Sequence, residues 1–219
     1  MTRPYSARYK QRMIPQERQL KKLETSAGKI PFDEWYRRLQ NKKVRAIIAA
    51  RLLWIQAGNL GDAKSIGQGV FEFRIHVGPG YRIYFGEVIT FWSFCYVVET
   101  KTHKNGISKP QSRYGKHTAM KLRDISETFE TDLQDPEFVQ MYLEEALNDG
   151  MTNFLLALRN VIQANDGMYQ ISQKVGVGRE SLYKTLSEAG NPQFNTIDQV
   201  LKALGLRLSI ALEPTTEAL

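Results

Sequence analysis

A chain of 219 residues, 42% of them hydrophobic, is long enough for one large domain or two small ones, each able to bury a core. Its charge is unevenly divided: residues 1–120 hold 22 Lys+Arg against 8 Asp+Glu, and the rest hold 8 against 15. The single cysteine, Cys95, excludes an internal disulfide and any multi-cysteine metal site. No apolar run approaches the ~18 residues of a membrane span, and the N-terminus lacks the apolar core of a signal peptide. A cytoplasmic protein with no membrane partner and no metal or cofactor is therefore expected.

Taken in order, residues 1–20 are polar, basic and aperiodic, and read as a loose arm in which Met13 is an alternative start. "LKKLETSAG" is a candidate for a short first strand. After Pro31, Phe32, Trp35, Tyr36 and Leu39 follow helical spacing. Val44, Ile47, Ile48, Leu52 and Ile55 continue it on a second helix ending near Gly58. The break at "QNKK" makes the pair a helical hairpin, with Arg37, Arg38, Lys42, Lys43, Arg45 and Arg51 expected on its outer face.

From Val70 the period becomes two. Phe71, Phe73, Ile75 and Val77 share one face; after the turn "GPG", Tyr81, Ile83 and Phe85 resume it. Pairing Val77 with Tyr81 around a three-residue loop would set His76 against Arg82 and Arg74 against Tyr84 on the polar face. The chain after residue 120 reads as helix throughout. Asp135-Pro136 supplies an N-cap followed by proline at the first helical position. Phe138, Val139, Tyr142, Leu143 and Ala146 form one stripe, and Phe154, Leu155, Leu158 and Val161 the next. A short helix, the turn "GVG", a helix over 179–187 and a last helix around 196–204 then have helix-turn-helix spacing.

The run "GNLGDAKSIGQGVFEFRIHVGPGYRIYF", with "FDEWYRRLQNKKVRAIIAARLLWIQA" before it, resembles the toxin of a type II toxin-antitoxin module, the HigB-like branch of the RelE/ParE superfamily. "GRESLYKTLSEAGNPQFNTIDQVLKALGLRL" is similar to the cognate HigA-like antitoxin, a lambda-repressor-like helix-turn-helix protein. The resemblance implies an α+β toxin domain over 21–98, an antiparallel sheet with a helical hairpin. It is joined by 99–119 to an all-α antitoxin domain over 120–212, with a tail at 213–219. It also implies a toxin-antitoxin protein whose toxin class cuts messenger RNA on the ribosome, while other members attack DNA gyrase. The cognate or a related toxin or antitoxin, operator DNA and a second copy, forming a homodimer on a palindromic site, are the expected partners.

Cleavage by a ribose 2′-hydroxyl needs a base, cations for the charge growing on phosphate, and an acid for the leaving oxygen. Arg74 and Arg82 suit the phosphate role, His76 the base or acid, and Tyr84 stacking or orientation. Tyr81 faces the core by the same alternation. The plainer alternative is that both arginines are solvated or salt-bridged. For DNA, Arg179, Glu180, Ser181 and Lys184 would lie nearest the major groove, with Gln170 at the preceding helix and Tyr183 against the backbone. Leu182, Leu186, Ile197, Val200, Leu201 and Leu204 read as core. Two departures from the family pattern are Gly178, where a Ser cap is usual, and Ser172, where a small Ala packs between helices.

The stretch "FWSFCYVVETKTHKNGISKP" departs further, because the toxin family ends instead on an apolar strand with a "LLCGGDK"-like motif and "RDI". Suitable codons for "FWSFCYVVETKTHKNGIS", read from the third base, encode Leu-Val-Phe-Leu-Leu-Cys-Gly-Gly-Asp-Lys-Asn-Thr-Gln-Lys-Arg-Asp-Ile, which is that missing ending. The expectation is a frameshift near residue 90 that carries the toxin frame into the antitoxin frame at about Met120. A true inserted linker is the alternative. Residues 91–98 would occupy the place of the last strand and 99–119 would be a flexible basic linker. Toxin activity is then expected to be weak or absent.

Overall fold

The structure, a computed structural model, describes residues 19–56, 63–67, 70–78, 80–86, 96–100, 121–187 and 190–210, with the backbone alone over 96–100. Residues 1–18 of the expected arm at 1–20, residues 101–119 of the linker expected at 99–119, and the tail at 213–219 lie outside the described residues, while Leu20 of that arm is 1% exposed in the core.

The first half is α+β. Strand β1 (Lys21–Glu24) precedes helices α1 (Pro31–Arg38) and α2 (Lys42–Gln56), and then come β2 (Ala63–Gly67), β3 (Val70–Ile75), β4 (Tyr81–Gly86) and β5 (Tyr96–Thr100). The last four form one antiparallel sheet in the order β2-β3-β4-β5. Local chemistry explains the helix ends. Pro31 opens α1, Asp33 and Glu34 occupy its first turn and Arg37 and Arg38 its last, matching the helix dipole at both ends. Asn41 accepts the Val44 N–H at 3.2 Å where α2 begins.

Strand β6 (Lys121–Asp124) follows, with short 3₁₀ turns at Ile125–Thr128 and Asp132–Gln134. Helices α3 (Pro136–Asn148), α4 (Met151–Ala164), α5 (Gly167–Val175), α6 (Arg179–Thr185) and α7 (Phe194–Ala203) complete the second half. Asp135 caps α3 by accepting the Glu137 N–H at 3.0 Å, with Pro136 at the first turn as the sequence implies.

Four expectations need correction. The β3–β4 ladder pairs Ile75 with Tyr81 and Arg74 with Arg82, so the connection is the five-residue loop 76–80 and not three residues. Within it, the Gly80 N–H donates to the Val77 carbonyl at 2.9 Å, and Gly78 and Gly80 have φ of +55° and +81°. Val77 is spent on this inner turn and cannot extend the ladder. Second, the chain after residue 120 begins with a strand, not a helix: β6 pairs with β1, Lys21 opposite Asp124 and Leu23 opposite Leu122. Third, β5 runs to Thr100, so residues 99 and 100 belong to the sheet and not to a linker. Fourth, the helix expected over 179–187 ends at Thr185.

The hairpin's basic residues also do not all face solvent. Helix α2 buries Val44, Ala46, Ile47, Ile48, Ala49, Ala50, Leu52, Leu53 and Ile55, which surround its axis. A helix apolar on all sides is covered on all sides. Helices α3 and α4 pack on α2. One continuous core joins Phe32, Tyr36 and Ile48 of the first half to Phe129, Leu133, Phe138 and Leu155 of the second.

Candidate functional sites: a polar sheet face, a helix pair and the junction between halves

Alternation on β3 and β4 sends Phe73, Ile75, Tyr81 and Ile83 into the core, where Tyr81 meets the Trp35 ring edge-on with centroids 6.1 Å apart. The other face carries Glu72, Arg74, Arg82 and Tyr84. Glu72, only 5% exposed, is the hub. Its Oε1 accepts from Arg74 Nε at 2.7 Å, and its Oε2 accepts from Arg82 Nη1 at 3.0 Å and from Tyr84 Oη at 3.1 Å. Burial alone would raise the Glu72 carboxyl, but the bonds from Arg74 and Tyr84 and the two arginine charges hold it below its ordinary value. The Tyr84 phenol is pushed up by burial and by the Glu72 charge.

Three of the four residues expected to act in catalysis, Arg74, Arg82 and Tyr84, are therefore brought together. His76 stands in the loop, exposed, and is not opposite Arg82 in the ladder as the three-residue loop would require. The hub itself escaped sequence reasoning, which assigned Glu72 no role. The signal becomes readable only with the observed register, because two guanidinium groups on directly opposed positions repel unless an anion lies between them.

The helix pair is built on Gly176, whose φ of +73° ends α5, and Gly178, which precedes α6. With no side chain, Gly178 makes no capping bond. Ser172 is 1% exposed and satisfies its hydroxyl on the Tyr169 carbonyl at 2.8 Å, so the departure from alanine leaves no unpaired group. Leu182, Leu186, Ile197, Val200 and Leu201 are buried, and Leu204 packs half-buried at the core's edge. Gln170, Arg179, Glu180, Ser181 and Lys184 are exposed. Tyr183 is half-buried, with the Arg179 guanidinium 5.7 Å from its ring centre.

The junction between the halves holds the densest polar chemistry. Lys22 of β1, 1% exposed, donates to both Asp33 oxygens at 2.9 and 3.2 Å and to the Thr128 hydroxyl at 3.0 Å. Thr128 in turn donates to Asp33 at 2.6 Å, so the buried charges are paired and hydrogen-bonded at once. The Tyr36 hydroxyl donates to Asp132 at 2.8 Å, and Arg45 lies 3.3 Å from the same carboxylate. Lys42 meets Asp135 at 2.8 Å. Arg51 donates to Asp149 and to Glu145, each at 2.9 Å, while its guanidinium lies over the Trp54 ring at 3.8 Å. Burial raises the Asp149 carboxyl, and Arg51 opposes the rise. Lys42, Arg45 and Arg51 of the basic half thus each pair with a carboxylate before, along or just after α3, while Lys22 pairs with Asp33 inside its own half.

Among the described residues, no helix is long and apolar enough to cross a membrane. Comparison with known proteins identifies the second half. Residues 123–212 match the family model described as "Probable addiction module antidote protein". Two uncharacterized proteins of Haemophilus influenzae are similar to the chain. One is 47% identical over 55 residues, a quarter of this chain and 56% of that protein, so the chain spans about half of its length. The other is 38% identical over 78 residues, 36% of this chain and 80% of that protein. No solved structure matches with significance. The chain therefore belongs to the family of this second Haemophilus influenzae protein, with an addiction-module antidote domain at residues 123–212.

Proposed function

We propose that the chain is a toxin-antitoxin fusion in which the antidote half holds a HigB-like half in cis and presents α6 to operator DNA. The observation that carries this reading is the junction. The segment matched as antidote supplies Thr128, Asp132, Asp135, Glu145 and Asp149 to the α1–α2 hairpin and β1. Neutralisation here is a bonded interface with a common core, made on the helical side of the sheet. The polar face around Glu72 lies on the other side, so the clamp acts by holding the hairpin and does not fill that face.

DNA binding is the surviving activity in this reading, through Arg179, Ser181 and Lys184 on the exposed side of α6, with Gln170, Glu180 and Tyr183 beside them. A homodimer would set two such helices on a palindrome one helical turn apart. The joint variant Arg179→Ala/Lys184→Ala is expected to weaken binding to the promoter DNA of its own gene at least ~10-fold, at an unchanged urea midpoint. Gel-shift titration at fixed salt measures it, and wild-type affinity in the variant would remove α6 from the interface.

A second reading, a messenger RNase kept silent by its fused antidote, is favoured by the assembled Glu72, Arg74, Arg82 and Tyr84 cluster. His76 would then supply proton transfer from the loop. The altered segment after β4 argues for weak or absent cleavage, and the gene sequence tests its origin. A toxin frame lacking the family ending would contradict the frameshift.

A further inference from the structure

We propose that the cavity at the junction of the two halves is a binding site for a small uncharged aromatic carboxamide, and that its occupancy strengthens the hold of the antidote segment on α2. Such a site depends on the junction alone and stands apart from the toxin and operator readings of the two halves.

The cavity measures about 180 Å³ and is walled by both halves. Leu20, Leu52 and Leu53 come from the first half, Ile125, Phe129 and Leu133 from the second, and all are buried. Such walls suit a single ring, since an apolar cavity of about 150 Å³ takes up benzene. The polar groups are few. Tyr142, 2% exposed, accepts from the Asn160 side-chain amide at 3.2 Å, and among the described residues no acceptor takes the hydroxyl's own proton. Burial pushes that phenol up to about 12, so at neutral pH the proton stays on and can be donated. The half-buried amides of Gln56 and Asn160 line the same space and, among the described residues, their carbonyl oxygens receive no donor. The complement of one free O–H and two free carbonyls is a head with one carbonyl and an N–H₂ group, a primary carboxamide. An anion would find no cation in the lining, whose single charged residue is the exposed Glu130, and an ammonium has no acceptor for the Tyr142 proton. A ligand held by both walls binds the docked halves and not the separated ones, so by mass action it favours docking.

The test uses the full chain with ¹³C-labelled Leu and Ile methyl groups and benzamide as the probe. The methyl signals of Leu52 on one wall and Ile125 on the other are expected to move together along one saturating curve, with a dissociation constant of about 1 mM for a fragment of this size. Benzoate and benzylamine, of similar shape but charged, should bind at least ~10-fold more weakly. Tyr142→Phe is expected to weaken benzamide about 5-fold. Ala164→Leu, which fills the space from the end of α4, should abolish the curve. At ten times the dissociation constant (about 10 mM), exchange of the α3 amides should slow about 10-fold in the wild type. No saturating movement, or movement confined to exposed methyl groups such as those of Leu147, would overturn the site. Benzoate or benzylamine binding as well as benzamide, or wild-type affinity in Tyr142→Phe, would overturn the carboxamide. If Tyr142→Phe does not fold, the charged probes on the wild type decide that point. Bound benzamide with unchanged α3 exchange would overturn the link to docking.

Discussion

Replacing Lys22 by Met is expected to remove about 3–5 kcal/mol of folding stability, the usual loss when one member of a buried ion pair is taken away. The methionine fills the space of the lysine stem, so packing changes little. What changes is Asp33, 5% exposed, which keeps the Thr128 hydroxyl at 2.6 Å and an Arg37 guanidinium 3.8 Å away on a largely exposed side chain. The triple variant Lys22→Met/Asp33→Leu/Thr128→Val removes every member of the trio and should recover most of the loss. An apolar replacement of a whole buried pair is often neutral or better. Urea unfolding of the two variants measures both numbers. A loss below about 1 kcal/mol in Lys22→Met would mean that water, not Lys22, satisfies Asp33.

The second large effect belongs to Arg51. Arg51→Glu places a third carboxylate between Glu145 and Asp149, whose side chains are 18% and 9% exposed, and removes the guanidinium from the Trp54 ring. A loss of about 2–4 kcal/mol is expected, smaller than for Lys22 because Arg51 is 24% exposed and water screens part of the repulsion. The loss should appear first as separation of α2 from α3 and only later as global unfolding. Amide exchange would show it as early loss of protection in α3. Adding Glu145→Gln and Asp149→Asn to Arg51→Glu should restore part of the stability, because the repulsion and not the missing contact dominates. Equal protection of α3 in Arg51→Glu and wild type would show that the ion pairs are ornaments on an apolar interface.

These two sites show where the sequence was informative. Helices α1, α2 and α3 and strands β3 and β4 follow from apolar period, with Pro31, Pro136 and Asp135 marking starts, because those signals are local. The trio of Lys22, Asp33 and Thr128 joins residues that are 11 and 106 positions apart and has no local signature. The all-round burial of α2 was legible in principle. Ala46, Ala49 and Ala50 leave no broad polar face, but a single stripe through Val44, Ile47 and Ile55 accounts for the same residues until α3 is in place. Strand β6 could not be read, since "KLRD" has one apolar residue and becomes a strand only by pairing with β1. The site face was legible in its residue types and missed in its register. Two glycines and an inner turn lengthened the loop to five residues and moved every pair by two. That shift puts Arg74, and not His76, opposite Arg82.

The antidote half and the half that precedes it share one core and one set of ion pairs inside the chain. Cutting the polypeptide between them tests this most directly. A protease site introduced within 101–119, cleaved to completion and followed by size-exclusion chromatography at micromolar concentration, should leave the two fragments eluting together at the position of the uncut chain. Two separate peaks would contradict it, and the junction of Lys22, Lys42, Arg45 and Arg51 with its carboxylates would then be a consequence of the tether alone.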